Sequence, residues 1–157
     1  MEKKSFKDAP LAEITLRRYE KPYNAANKRE LVKKLCLSTG LLQPGDSRDI
    51  IVDVFFVLLQ ARQEEKQLSS ENVKDLVVLL RKAEGLPLQG IASSNIRRQI
   101  KRLRGLYLVE KVKNNYRITE QETITNIFQD KFETILLPSL VSRVKEYTKV
   151  VDDAFRK

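Results

Sequence analysis

Residues 93–119 read SSNIRRQIKRLRGLYLVEKVKNNYRIT, and this stretch decides the fold. Its first half is a basic helix pattern and its second half is two short strands joined by a polar turn. Between Ser93 and Arg117 stand eight Lys or Arg against one acid, Glu110, so the stretch holds about +7 of the chain's formal +9. At 100° per residue Ile96, Ile100 and Leu103 fall on one side of the helix. Ser94, Arg98, Lys101 and Arg102 fall opposite, with Arg97 and Arg104 on the flanks; Arg104, near the core edge, is expected to pair with an acid such as Glu84. Ser93 or Ser94 is placed to cap the helix start, and Gly105 to end it. Leu106, Leu108 and Val109 lead into the first strand. Asn114-Asn115 suits the positive φ of a tight hairpin turn, and Tyr116 and Ile118 begin the return strand. Attraction between exposed charges fades over about 8 Å in physiological salt, so charge gathered on one compact element makes an anion-binding surface where scattered charge does not.

Upstream, the pattern predicts three more helices. Asn27 and Glu30 form a capping arrangement for a helix through Leu31, Val32, Leu35 and Cys36 that stops at Gly40. Pro44 and Gly45 then make a turn, with Asp46 or Ser47 as cap for a core helix carrying Ile50, Ile51, Val54, Phe55, Leu58 and Leu59 at helical spacing. After the polar hinge QEEKQLSS a third helix begins near Glu71 with Val73, Leu76, Val77 and Leu80 inward, and Gly85 and Pro87 end it. Residues 1–10 read as a disordered leader, and LAEITLRR as a short strand or extended chain. The organisation expected is therefore a leader (1–10), an N-terminal extension with a short strand and a helix (11–45), a central domain (46–119) and a C-terminal helical segment (120–157).

In that last segment Thr119 and Glu122 match a capping box, and Ile124, Ile127, Phe128, Ile135 and Leu136 mark an apolar face up to Pro138, where a new helix is expected. The tail beyond carries Leu140, Val141, Val144, Tyr147 or Thr148, Val151 and Phe155, a stripe too long for one helix to bury alone. It either packs back on the N-terminal helices or pairs with a second copy; we favour a homodimer through Leu140, Val141, Val144, Tyr147, Val151 and Phe155.

Composition narrows the function classes. The chain has no His and a single Cys, Cys36, in the apolar setting LVKKLCLS. Histidine general-base chemistry, histidine or thiolate zinc sites and an intramolecular disulfide are thereby excluded. No GxxxxGK[ST] or GxGxxG phosphate loop occurs, and the acidic pairs Glu64-Glu65 and Asp152-Asp153 sit in charged helical surroundings. No catalytic residue, metal or cofactor is expected. MEKKSFKDAP lacks an apolar signal core and the longest apolar run, VFFVLL, is far shorter than the roughly 20 residues of a membrane span. The expectation is a cytoplasmic protein. Tyr107 and Tyr116 alone flank the basic stretch, too few aromatics for an RNA-stacking platform.

The succession from Ile91 through SSNIRRQIKRLRGLYLVEKVKNNYRIT resembles the winged helix-turn-helix of small prokaryotic, especially archaeal, transcriptional regulators, over roughly residues 49–119. The resemblance implies a mainly α fold with a small β-hairpin wing and additional N- and C-terminal helices. It implies a supporting helix near 49–65, a helix before the turn near 71–84 and a recognition helix near 93–104. Ser93, Ser94, Asn95, Arg97, Arg98 and Lys101 would then face the major groove of double-stranded DNA, with Lys113, Asn114 and Asn115 at the wing tip. Arg102, on the polar face, and Arg117, beside the tip, complete the expected DNA-binding set. The turn GLPLQGIASS is longer than the family's usual turn. A dimer would suit palindromic DNA, and the function implied is regulation of transcription, with no effector ligand identified. Winged helices also serve as protein-interaction modules, and the same charge would serve an RNA-binding protein; both remain alternatives.

Overall fold

The computed structural model describes residues 8–22 and 27–157. The expected leader lies outside these residues except for Asp8, Ala9 and Pro10, which are exposed. From Leu11 to Pro22 the chain forms neither helix nor strand, with a bend at Leu11, so the strand reading fails. One backbone bond, Arg17 N–H to Ser38 O at 2.8 Å, ties it down. The Arg17 guanidinium adds to this, donating to Leu37 O at 2.7 Å and Leu42 O at 3.2 Å, and Lys34 pairs with Glu20 at 2.9 Å.

Helix α1 (Lys28–Ser38) starts where expected: the Asn27 side chain accepts from Glu30 N–H at 3.1 Å. It ends before Gly40, whose φ of +78° suits glycine and whose Cα stands where an added Cβ would meet Thr15 at 2.7 Å. Helix α2 (Ile50–Gln63) is the centre of the molecule, and Val52 and Val57 are buried on it as well as the expected Ile50, Ile51, Val54, Phe55 and Leu58. The helix before it, the two helices after it and one strand pack around it, so it is apolar on nearly every side. Neither Asp46 nor Ser47 caps it. Asp46 accepts from Arg48 N–H in a local turn at 2.9 Å, and Asp49, at the cap position, uses its carboxylate elsewhere.

Helix α3 (Ser70–Ala83) opens with a reciprocal capping box between Ser69 and Asn72. Val73 and Val77 are buried on α2, whereas Leu76 is 39% exposed and Arg81 is buried in its stead. Helix α4 (Ser93–Gly105) packs on α2 and α3 through fully buried Ile96, Ile100 and Leu103. Burial of three such side chains contributes about 1.5–3 kcal/mol each. Strands β1 (Val109–Val112) and β2 (Asn115–Ile118) follow as an antiparallel hairpin, in register Val109 to Ile118 and Val112 to Asn115. The turn is Lys113-Asn114, with Lys113 at φ +58°, one residue earlier than expected; Asn115 already pairs in the strand. The hinge before α3 joins the sheet, since Leu68 and Tyr116 exchange both backbone bonds, at 2.9 and 2.7 Å.

A 3-10 turn (Thr119–Gln121) replaces the expected capping box: the Thr119 hydroxyl donates to Tyr107 O at 2.7 Å. Thr123 caps the next helix instead, accepting from Asn126 N–H at 3.1 Å. Helix α5 (Ile124–Ile127), a π-helical segment (Phe128–Leu136) and helix α6 (Leu137–Ala154) run as one rod through Pro138. The expected break fails because the wider turn accommodates the proline: Leu137 N–H bonds Phe132 O, five residues back, just before the residue with no N–H to give. Ile127 and Phe132 pack into the body, Ile135 is exposed, and no residue of α6 is buried. The fold is thus mainly helical with one small antiparallel sheet, and among the described residues no helix is long and apolar enough to cross a membrane.

Candidate nucleic-acid interface

The basic surface is organised from below by four buried charges. Asp53 is the one acid in the run IIVDVFFVLL and is fully buried on α2. Two guanidinium groups meet it: Arg29 of α1 (Nε to Oδ1, 2.8 Å) and Arg81 of α3 (Nη1 to Oδ2, 2.6 Å). Both also reach Asp49, each at 3.0 Å. The set is neutral as a whole, which is what permits its burial. Burial pushes the Asp49 carboxyl up, but hydrogen bonds from Arg29 and Arg81 outweigh this and hold it below the ordinary carboxylate range. Burial likewise disfavours the Arg29 charge, and the facing Asp53 and Asp49 carboxylates more than compensate.

From this network the turn before α4 is fixed. Arg81 Nε donates to Pro87 O at 2.6 Å, and Asn95 of α4 donates back to Gly90 O at 2.7 Å. Gly90 has φ +82°, and a Cβ there would sit 3.1 Å from Ile50. The extra length of the turn is therefore pinned at two points, and α4 keeps a defined seat on α2 despite it. Neither Ser93 nor Ser94 caps the helix; Ala92 holds the cap position, and Ser93 Oγ instead accepts from Lys74 Nζ at 3.4 Å.

The expected contact residues divide into two groups. Ser94, Arg98 and Lys101 are exposed on the side of α4 away from Ile96, Ile100 and Leu103, and Arg97 and Arg104 are exposed on its flanks; Arg104 has no ion-pair partner among the described residues, Glu84 included. Lys113 and Asn114 are exposed at the hairpin tip, and Asn115 is half-buried in β2. The second group is engaged by the protein itself. Asn95 donates to Gly90 O and accepts from Gln99 at 3.0 Å and, more weakly, from exposed Arg98 at 3.4 Å. Arg102 donates to Leu41 O and to Gln99, clasping α4 to the loop after α1. Arg117 pairs with Glu110 at 2.7 Å, its register partner across the hairpin, and both are partly buried. Asn95, Arg102 and Arg117 therefore shape the surface, with the two guanidinium groups held by the protein itself.

Beside α4 a polar cleft of about 480 Å³ opens, with Arg48, Asn95, Arg98 and Gln99 among its walls. Lys111 lies 6.0 Å from the Tyr116 ring centroid, at the outer limit of a cation–π contact. The available cations are thus Arg97, Arg98, Lys101 and Arg104 on the helix and Lys111 and Lys113 on the hairpin. The buried network was not anticipated from sequence, although a lone Asp in an apolar helix is itself a signal that a buried cation must meet it.

Five of the six expected dimer residues lie on α6, and Phe155 stands at its C-cap. Val141, Val144, Tyr147, Val151 and Phe155 are exposed and Leu140 is half-buried. Thr148, the alternative to Tyr147, is exposed too. The N-terminal helices do not cover them, so the intramolecular packing alternative fails among the described residues.

No known protein family, curated protein or solved structure matches the chain.

Proposed function

We propose that this protein is a cytoplasmic, non-catalytic regulator of transcription that binds double-stranded DNA sequence-specifically, as a dimer, through a winged helix-turn-helix. The observation that carries the reading is the two-sided α4. Its apolar side is fully buried on α2 and α3, its opposite side offers Arg98 and Lys101 to solvent with Arg97 on the flank, and a hairpin with Lys113 at its tip follows immediately. A helix so seated presents side chains to a groove without disturbing its own packing, and a cationic hairpin tip suits the neighbouring phosphates. The backbone pairing of Leu68 with Tyr116 is a further support, because it anchors the hairpin to the hinge before α3. The exposed stripe of α6 supplies a surface for the second subunit, and two linked subunits would read a two-fold operator.

The test is retention of genomic duplex fragments by the full chain against excess nonspecific competitor at several salt concentrations. Arg98→Ala with Lys101→Ala should weaken binding strongly with the fold intact. Each lost phosphate contact should reduce the log–log salt slope by about 0.9. Unchanged affinity and slope would remove the DNA site from α4, and preferential retention of single-stranded or hairpin RNA would replace the DNA reading.

A further inference from the structure

Leu137, Val141, Val144, Thr148, Val151 and Phe155 follow one another at alternating spacings of four and three residues. That is the a/d pattern of a coiled-coil seam, which stays in line on a helix only as the helix winds around a partner. The seam begins on the core: Leu137 N–H bonds Phe132 O five residues back, so the π-turn absorbs one extra residue and Leu137 continues the line of buried Phe132. From there it runs outward, Leu137 37% and Val144 61% exposed and, at the C-cap, Phe155 85%, on a helix whose substantial contacts are with the preceding π-helical segment. Thr148, the one polar member, spends its proton within the helix on Lys145 O at 2.7 Å and brings no unmet donor to the seam. The ion pair of α6, Arg143 with Glu146, and that of Asp153 with Arg156 beyond its end, occupy outer positions of the repeat.

We infer that a second copy of this chain covers the seam, with the two α6 helices parallel and in register. The inference rests on the dimeric reading above and names its geometry. In this repeat Val141, Thr148 and Phe155 are a residues and Leu137, Val144 and Val151 are d residues. β-Branched residues at a favour two strands with leucine at d, which Leu137 alone supplies, so a trimer is the competing state. Lys145 and Asp152 fall at e, and Leu140 and Tyr147 at g, so these last two flank the seam instead of forming it. In a parallel pair each g residue stands beside the next e residue of the other helix. Tyr147 then meets Asp152 of the second copy, hydroxyl to carboxylate, and Leu140 meets the aliphatic stem of Lys145. An antiparallel pair joining the same six residues brings the two copies of Lys145 together across the axis, with no acid at e or g there to neutralise them. Charge therefore selects the parallel arrangement. A helix of about 27 Å carries fewer than three heptads, so the dimer is weak and depends on concentration.

Disulfide trapping reads the geometry without DNA. Cys36 is buried and its thiol is pushed up to about 12, so the natural chain should not cross-link on mild oxidation under native conditions and serves as the blank. Val151→Cys should form a disulfide dimer about tenfold or more faster than Val150→Cys on the outer face, because a seam cysteine meets its twin at high effective concentration. Mixed with a tagged Val141→Cys chain, Val151→Cys should still link only to itself. Predominant 141–151 links would overturn the parallel geometry. A chain that stays monomeric in sedimentation equilibrium at high micromolar concentration, or that forms trimers, would overturn the two-stranded pairing. A trapped dimer with no DNA affinity would sink the DNA reading alone, and a monomer that binds DNA would sink this inference together with the dimeric part of that reading, leaving duplex binding in place.

Discussion

Replacing Arg29 by methionine isolates what the buried charge network contributes. The thioether chain keeps much of the packing of the arginine stem but leaves two carboxylates, Asp49 and Asp53, to share the single guanidinium of Arg81. Asp53 has no exposure to water and loses two hydrogen bonds, at 2.8 and 3.1 Å; Asp49 loses one at 3.0 Å. Breaking one side of such a buried set costs about 3–5 kcal/mol, against total stabilities of about 5–15 kcal/mol for domains of this kind. Urea unfolding followed by far-UV circular dichroism is the assay. With a slope of about 2 kcal/mol per molar, the midpoint should fall by about 2 M at unchanged slope. Arg143→Ala provides the contrast, because the Arg143–Glu146 pair is exposed and worth no more than about 1 kcal/mol. Adding Asp53→Leu to Arg29→Met should recover part of the loss, since Arg81 then keeps Asp49 as its single counter-ion. If Arg29→Met costs no more than Arg143→Ala, or if the double variant is worse by the sum of both single losses, the four charges do not act as one neutral buried unit.

The same network sets an acid limit. The Asp49 carboxyl is held below the ordinary value of about 3.9, so it gives up its proton more readily folded than unfolded. Its stabilising contribution is complete above about pH 5 and disappears as pH falls past 3.9 toward the folded value. Thermal melts from pH 5 to pH 2.5 should show a descent that is shallower in Asp49→Asn, and equal descents would assign the acid limb to other carboxylates. Lys113→Glu should lower affinity for specific and nonspecific duplexes by the same factor, since a hairpin tip meets phosphates rather than base edges. Binding isotherms on both duplex types decide this, and a loss confined to one sequence would mean that the tip reads bases. Cys36 should react with thiol reagents only as fast as the protein opens, because burial raises its pKa and blocks access. Full labelling within seconds in native buffer would contradict its place in the core.

The sequence by itself determined the elements whose cause is local. The Asn27 cap and Gly40 stop of α1, the apolar α2, the division of α4 into a buried Ile96, Ile100, Leu103 side and a cationic side, and the hairpin after it all follow from periodicity and turn chemistry within a few residues. The unburied stripe of α6 was also legible, as an apolar run with no local partner. Errors concentrated where several polar residues compete for one cap: Ser69 and Thr123 won theirs, while Asp49, Ser93 and Thr119 were drawn away by distant partners. The tertiary structure alone decided which cations remain available. Arg102, Arg117, Arg29 and Arg81 look like Arg97 and Arg98 in the sequence, yet each is engaged by a group in another segment, from Glu110 across the hairpin to a carbonyl 61 residues away. A charge's neighbours within one helix turn fix the face it lies on. Whether it stays free to meet a ligand depends on which distant dipoles and carboxylates the fold brings within 3 Å, and no local pattern encodes that.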